Sequence, residues 1–394
     1  METLTQLNAQ MQGLVLFRSL LADKVLQKLA APPSDTAAEA EKAGFCAGFA
    51  SELFRHTFNW SRYLLDRILE DENSYMLAKA QGRGVPSSLE EALNHELSVL
   101  EKISRLTAGE LKRLSGYGGF LPEWETSKLD FAGIYAERIR NIFCRGYGIF
   151  AEYHAFIMQD GEIVPVRNPD PTRLSQLSGY GLEREKVVRN TLALLEGKPA
   201  ANTLLYGDAG TGKSSTVKAI ANEFKERGLR LIEIPKNQLS VIPSLMERLS
   251  KNPLKFILFI DDLSFTRSDE TFGLLKAILE GSVSAKTPNL VLYATSNRRH
   301  LVKENFSDRN GDDIHRNDTL EETISLSARF GLAVTFSKPD KKQYTEIVAE
   351  LAEQYGLQIE PAELFLQAEA YALRRGGRSP RVARQFAEYL KTLE

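Results

Sequence analysis

The sequence predicts an α/β protein, a parallel sheet sandwiched by helices over residues 171–338, preceded by a mostly helical domain at 1–152 and closed by a small helical lid at 339–394. Three features of the chain point there. Short apolar runs at 204–206, 229–234, 256–260, 290–294 and 333–336 alternate with helical stretches, the rhythm of strands whose crossovers cover both faces of a sheet. A glycine-rich loop of the form GxxxxGKS follows the first of those runs and opens a helix. Before residue 150 and after residue 340, apolar residues recur instead at the helical period.

In chain order, Leu4, Leu7, Met11, Leu14, Phe17, Leu21, Val25 and Leu29 advance in steps of three and four, which places them on one face of a long helix. Further helical patterns cover 45–69, 86–106 and 107–114, with Ser88/Glu91 and Thr107/Glu110 spaced as capping boxes. Phe49, Phe54, Phe58 and Trp60 are expected to be core or interface residues rather than a stacking platform. The stretch 155–166 reads as two short strands joined at Asp160-Gly161, and Asn168-Pro-Asp-Pro171 as a breaker, so 153–170 is expected to be a hairpin and linker. Asp340 with Gln343 is placed to cap the first helix of the lid.

Composition bounds the function without choosing it. The 394 residues, 43% hydrophobic and 26% charged, are ordinary globular material and exclude a disordered or fibrous chain. A net charge of -2 gives no global attraction to nucleic acid or anionic membrane. Cys46 and Cys144 are far apart and form no CxxC, so neither a disulfide framework nor a zinc site is suggested and a reducing, cytoplasmic setting is expected. The first residues lack a signal-peptide pattern, and no apolar run is long enough for a bilayer, so no membrane partner is expected. His56, His95, His154, His300 and His315 are scattered without metal-ligand spacing, and no HExxH or GxSxG occurs. Leu-Ser-Gly-Tyr-Gly recurs at 114–118 and 177–181, which flexible aromatic turns explain.

The chemistry concentrates in a few segments. Gly207, Asp208, Ala209, Gly210, Thr211, Gly212, Lys213 and Ser214, with Ser215 after them, form a Walker A loop. Its glycines let backbone N–H groups turn inward toward phosphate oxygens, and the helix amino terminus adds favourable partial charge. Lys213 would neutralise the β- and γ-phosphates and the Ser214 hydroxyl would bind Mg²⁺. The apolar run 256–260 ends in Asp261-Asp262, a Walker B pattern in which Asp261 would hold the Mg²⁺ and Asp262 would polarise the attacking water. The strand 229–234, between these motifs in the chain, marks the branch of P-loop proteins in which an extra strand separates Walker A from Walker B.

That branch includes the AAA+ proteins, and further segments resemble theirs. Asn297 closes the run 290–294 and its Ala-Thr-Ser-Asn continuation in the place of sensor 1, the polar residue that reads the γ-phosphate; alternatively it only begins a loop. Ser-Leu-Ser-Ala-Arg329-Phe-Gly resembles the segment carrying an arginine finger, a cation given across a subunit interface, which implies a homo-oligomer. Gly376-Gly-Arg-Ser-Pro380-Arg381 resembles the sensor 2 motif of the lid. For either arginine the alternative is a surface ion pair. The residues 307–313 form a charged insertion that is either a partner-contacting loop or a solvated one.

Taken together, LSGYGLER at 177–184, LYGDAGTGKSS at 205–215, ATSNRRHL at 294–301 and SLSARFGL at 325–332 resemble the bacterial AAA+ family known as domain of unknown function 815. The resemblance covers about 170–390 well and the helical half more loosely. It implies ATP as nucleotide, with Gly179 and Tyr180 lining the adenine pocket, and no Asn-Lys-x-Asp guanine-reading motif occurs. Asp262 departs from the commoner glutamate and is one methylene shorter, which implies slow hydrolysis. The expected function is an oligomeric, Mg²⁺-dependent ATPase remodelling a protein client. Two alternatives stand beside it: a nucleotide-gated switch or scaffold, and a nucleic-acid-associated loader suggested by the Asp-Asp pair and the basic lid, although Arg374, Arg375, Arg378, Arg381 and Arg384 are expected rather to serve the nucleotide and subunit contacts.

Overall fold

A computed structural model describes residues 3–34, 36–263, 270–280, 287–297 and 329–393. The chain divides into two units, Met1–Glu152 and Tyr153–Glu394.

The described part of the first unit is helical: α1 (Leu4–Gln12), α2 (Lys24–Leu29), α3 (Glu39–Phe54), α4 (Trp60–Glu70), α5 (Ser74–Ala80), α6 (Ser87–Ser104), α7 (Ala108–Ser115), α8 (Phe131–Arg140), α9 (Ile142–Arg145) and α10 (Ile149–Glu152). The long helix expected from Leu4 to Leu29 is not formed. It stops at Gln12, and the backbone N–H groups of Val15, Leu16 and Phe17 donate instead to the carboxylate of Glu96, a buried residue of α6, at 2.9 to 3.1 Å. Asp23 then starts α2 afresh, its carboxylate accepting from the N–H groups of Val25 and Leu26. Leu14, Leu16 and Phe17 stay buried although their backbone is no longer α-helical. Phe49 and Trp60 lie in the core with Trp124, Phe49 meeting each indole edge-on at 5.1 Å, whereas Phe58 is exposed. The indole N–H groups of Trp60 and Trp124 donate to the carbonyls of Ile103 and Leu106.

The second unit holds a seven-stranded sheet in the order β2-β1-β4-β5-β6-β3-β7. Its strands are β1 (Ala155–Gln159), β2 (Glu162–Pro165), β3 (Thr203–Gly207), β4 (Leu229–Glu233), β5 (Lys255–Ile260), β6 (Leu290–Ser296) and β7 (Leu332–Phe336). All pairings are parallel except that of the β1–β2 hairpin. Asp160 and Gly161, at φ 51° and 82°, make the two-residue turn that the right-handed strand twist favours. The hairpin expected as a linker is thus the edge of the sheet, β1 pairing with β4. Every residue of β6 and all but the first of β5 are buried, as befits central strands covered on both faces. The covering helices are α11 (Gly181–Leu195), α12 (Lys213–Phe224), α13 (Ile242–Ser250) and α14 (Glu270–Glu280). In space β6 separates β3 from β5; the strand 229–233, expected in that role, lies on the far side of β5.

The lid comprises α15 (Lys341–Tyr355), α16 (Pro361–Arg374) and α17 (Pro380–Lys391). The Asp340 carboxylate accepts from the Gln343 N–H at 2.7 Å and caps α15. Tyr344, Ile347, Leu351, Phe386 and Leu390 join the lid to the same apolar core as Val217 of α12 and Ile257 and Val334 of the sheet.

Candidate functional site: a cleft at the carboxyl edge of the sheet

Parallel register brings the ends of β3, β5 and β6 together. Leu205 stands opposite Thr295, Tyr206 opposite Ser296, and Ile260 opposite Ala294, so the residues that follow each strand emerge at one edge. Open α/β sheets bind their ligands at such an edge. Here Gly207–Ser215, Asp261–Asp262 and Asn297 converge from three separated stretches of chain.

The loop after β3 is held tightly. Gly207 has φ 132°, and a Cβ there would lie 2.2 Å from the Phe336 carbonyl oxygen, so only glycine fits. Gly212, at φ 90°, turns the chain into α12 in the left-handed region. The Asp208 N–H donates to the Phe336 carbonyl, and the Asp208 carboxylate accepts from the Lys338 N–H at 2.7 Å, fastening the loop to the strand-to-lid connection. From the lid side, the Arg381 N–H donates to the Gly210 carbonyl at 3.2 Å.

Lys213 is 5% exposed. Its ammonium donates to the carbonyls of Gly207 and Asp208 at 2.9 and 2.7 Å and to Asn297 Oδ1 at 3.1 Å. Burial pulls its pKa down from the usual lysine range, opposed by the charges of Asp208, Asp261 and Asp262. The Ser214 hydroxyl donates to Asp261 Oδ1 at 2.6 Å, and the Asn297 amide donates to Asp262 Oδ1 at 2.8 Å. Asp262 has φ 51°, an uncommon conformation for a residue with a side chain.

These groups line a cleft of about 400 Å³ shared with the lid. Ala209 through Ser215, Asp261, Asp262, Asn297 and Arg381 all border it. Gly179 and Tyr180 do not stand among its lining residues; Leu177 and Ser178 do. The Gly179 N–H donates to Glu350, and its α-carbon packs so closely on Ile347 that a Cβ would lie 2.7 Å away. Tyr180 is buried, its hydroxyl donating to the Ser337 carbonyl at 2.5 Å and its ring lying against Phe336. Arg329 also stands apart from the lining, its Nε donating to Glu280 at 2.6 Å. Arg298, Arg299, His300, His315, the insertion 307–313 and the residues 325–328 preceding Arg329 lie outside the described residues.

Four further residues line the cleft without having been assigned an individual role: Arg184 and Thr295, which fall inside the segments LSGYGLER and ATSNRRHL, Leu351, and Arg384 of the lid. Arg184 donates to the Leu177 carbonyl at 2.7 Å and Arg384 to the Gln176 carbonyl at 2.9 Å, so both brace the segment before α11 where it borders the cleft. A basic residue one turn beyond Arg381 on α17 was the available signal for Arg384. Arg184 and Thr295 fall inside segments that carry the family resemblance, but the partners that give them a role, the Leu177 carbonyl and the residues 261–263, are set by the fold.

The donor set fits a magnesium nucleotide. A buried cation faces the cleft with only neutral oxygens as direct partners, so a phosphate would compensate it. The Ser214 hydroxyl beside the Asp261 carboxylate is a hard oxygen pair of the kind that holds Mg²⁺ together with water and phosphate. No described helix is long and apolar enough to cross a membrane.

Residues 151–393 match the family model described as Protein of unknown function (DUF815). The replication factor C large subunit of Thermofilum pendens (strain DSM 2475 / Hrk 5) is 30% identical over 119 residues, 28% of each chain. Among solved structures, the RuvB Holliday junction branch migration motor of Thermotoga maritima is similar at TM-score 0.37 and 19% identity, over 55% of this chain and 63% of that one. A point mutant of the same RuvB gives TM-score 0.37 and 18% identity over the same shares. The chain therefore spans less than two thirds of either relative's length. With the family match extending over more than half of its residues, the chain belongs to the DUF815 family, and its second unit is an α/β fold with a GxxxxGKS loop at the carboxyl edge of a mostly parallel sheet.

Proposed function

We infer that the chain binds ATP with Mg²⁺ in this cleft and hydrolyses it within a homo-oligomer, to remodel a macromolecular client. The observation that carries the reading is Lys213, a buried ammonium aimed into a cleft that also presents Ser214, Asp261, Asp262 and Asn297. Bound Mg²⁺ would supply charge neutralisation on the β- and γ-phosphates. The backbone N–H groups of the loop after β3 wrap the phosphates, and Lys213 exchanges neutral acceptors for an anionic one. Ser214 and Asp261, already hydrogen-bonded, would hold the metal. Asp262 orients the attacking water, with Asn297 beside it to read the γ-phosphate. Arg381, on the lid, responds to the same group.

Arg329 serves a neighbouring subunit in this reading, as a cation reaching the γ-phosphate from outside its own cleft. Its place away from the cleft lining supports that assignment, although its ion pair with Glu280 must be exchanged on assembly. A second reading, a nucleotide-gated switch with little turnover, is favoured by one contact: the short carboxylate of Asp262 is already engaged by the Asn297 amide.

The test is ATP turnover at rising protein concentration for wild type, Lys213→Ala and Arg329→Ala, with assembly followed by light scattering. Specific activity is expected to climb with assembly, to fall by roughly 100-fold without Lys213 and by about 1,000-fold without Arg329. Tight ATP binding with negligible, concentration-independent turnover would replace the motor with the switch.

A further inference from the structure

We propose that Thr295 is a positioning residue that sets both carboxylates of the Asp261–Asp262 pair for the magnesium nucleotide. The proposal rests on the nucleotide-site reading above and assigns a role to a residue of the Ala-Thr-Ser-Asn stretch other than Asn297, to which the motif reading gave the function.

Thr295 is 2% exposed and lies on β6, the strand between the phosphate-binding loop and the acidic pair. A hydroxyl offers one donor and two acceptor sites, and here both capacities are used on consecutive residues. Oγ1 donates to Asp261 Oδ1 at 2.5 Å and accepts from the Asp262 N–H at 2.9 Å. The Thr295 carbonyl accepts from the Leu263 N–H at 2.7 Å, so one residue of β6 grips all of 261–263.

The grip has two consequences for the site. The left-handed backbone at Asp262 is sterically unfavourable and persists only where surrounding contacts determine it. The bond from its N–H to the threonine hydroxyl is such a contact, and in that conformation the Asp262 carboxylate meets Asn297. At Asp261, Thr295 and Ser214 donate to the same oxygen, which fixes the rotation of the carboxylate relative to the hydroxyl that shares the metal with it. A serine at position 295 retains the hydroxyl; a valine retains the shape and loses it.

The test measures binding of a fluorescent ATP analogue to the full-length chain as Mg²⁺ is titrated, with a parallel series in chelator, for wild type, Thr295→Val and Thr295→Ser. Thr295→Val is expected to need about tenfold more Mg²⁺ for half-maximal binding, the scale set by losing a hydrogen bond to a charged group. Its affinity in chelator stays within about twofold of wild type, because the phosphate loop is untouched, and Thr295→Ser returns the Mg²⁺ requirement to within about threefold. Equal losses with and without Mg²⁺, or a serine variant no better than valine, would show a merely structural role and overturn the proposal. A wild-type chain that binds the analogue with the expected Mg²⁺ dependence, beside an indistinguishable valine variant, overturns it alone. Wild type without Mg²⁺-dependent binding overturns the site reading along with it.

Discussion

Gly207 shows how a single missing methyl group can decide whether the cleft forms. Its Cβ position is occupied by the Phe336 carbonyl oxygen, a backbone atom that cannot swing aside, and its φ of 132° lies where side chains are strained. Gly207→Ala must therefore push β3 and β7 apart at the point where the Asp208 N–H bonds to the same carbonyl. We expect a loss of about 3 kcal/mol or more in the stability of the second unit, from overpacking and backbone strain together. Nucleotide affinity should fall as well, read by thermal melting with and without Mg·ATP. An alanine variant that melts and binds as wild type would mean that the loop does not depend on this close approach. At this scale the sequence was most informative, because glycine, lysine and serine at fixed spacing already encode the loop. Tyr180 marks the opposite limit: the family resemblance implied a base pocket there, yet the hydroxyl donates to the Ser337 carbonyl and the ring is buried in the core.

Helix α7 and helix α6 separate a capping pattern that forms from one that does not. Thr107 accepts the Glu110 N–H while Glu110 accepts the Thr107 N–H, at 3.2 and 3.0 Å, so the box closes. Ser88 and Glu91 have the same spacing, but α6 begins at Ser87 with Pro86 as its cap, leaving Ser88 inside the helix and exposed. Thr107→Ala should cost about 1 kcal/mol of stability in the first unit, whereas Ser88→Ala should change it by less than about 0.5 kcal/mol. Chemical denaturation of both variants checks the pair, and equal effects would contradict the cap assignment. The same scale explains where periodicity misled. Residues 4–29 keep a helical apolar rhythm across a break, because burial continues while Glu96, distant in sequence, takes over the backbone N–H groups. A long-range carboxylate leaves no local signal. The hairpin at 155–165 was legible as strands from its Asp-Gly turn, but its membership of the sheet depends on β4, some 70 residues later, as its pairing partner.

Among the described residues, the apolar cluster built between Leu4 and Tyr147 shares no residue with the one built between Tyr180 and Leu390. Each is large enough, with its own aromatic and aliphatic side chains, to support cooperative unfolding of its own unit. The candidate cleft belongs entirely to the second. Ligand binding stabilises only the folded state that contains the site, by about 2.7 kcal/mol at a ligand concentration 100 times Kd. Calorimetry of the full chain is therefore expected to show two transitions, of which saturating Mg·ATP raises one by several degrees and leaves the other in place. Lys213→Ala should keep both transitions and abolish the nucleotide-induced shift, which assigns the shifted one to the second unit. A single transition moving as a whole with nucleotide would show instead that the helical unit is energetically coupled to the cleft. In that case nucleotide state would already be transmitted to it without a client, and the switch reading would gain over the motor.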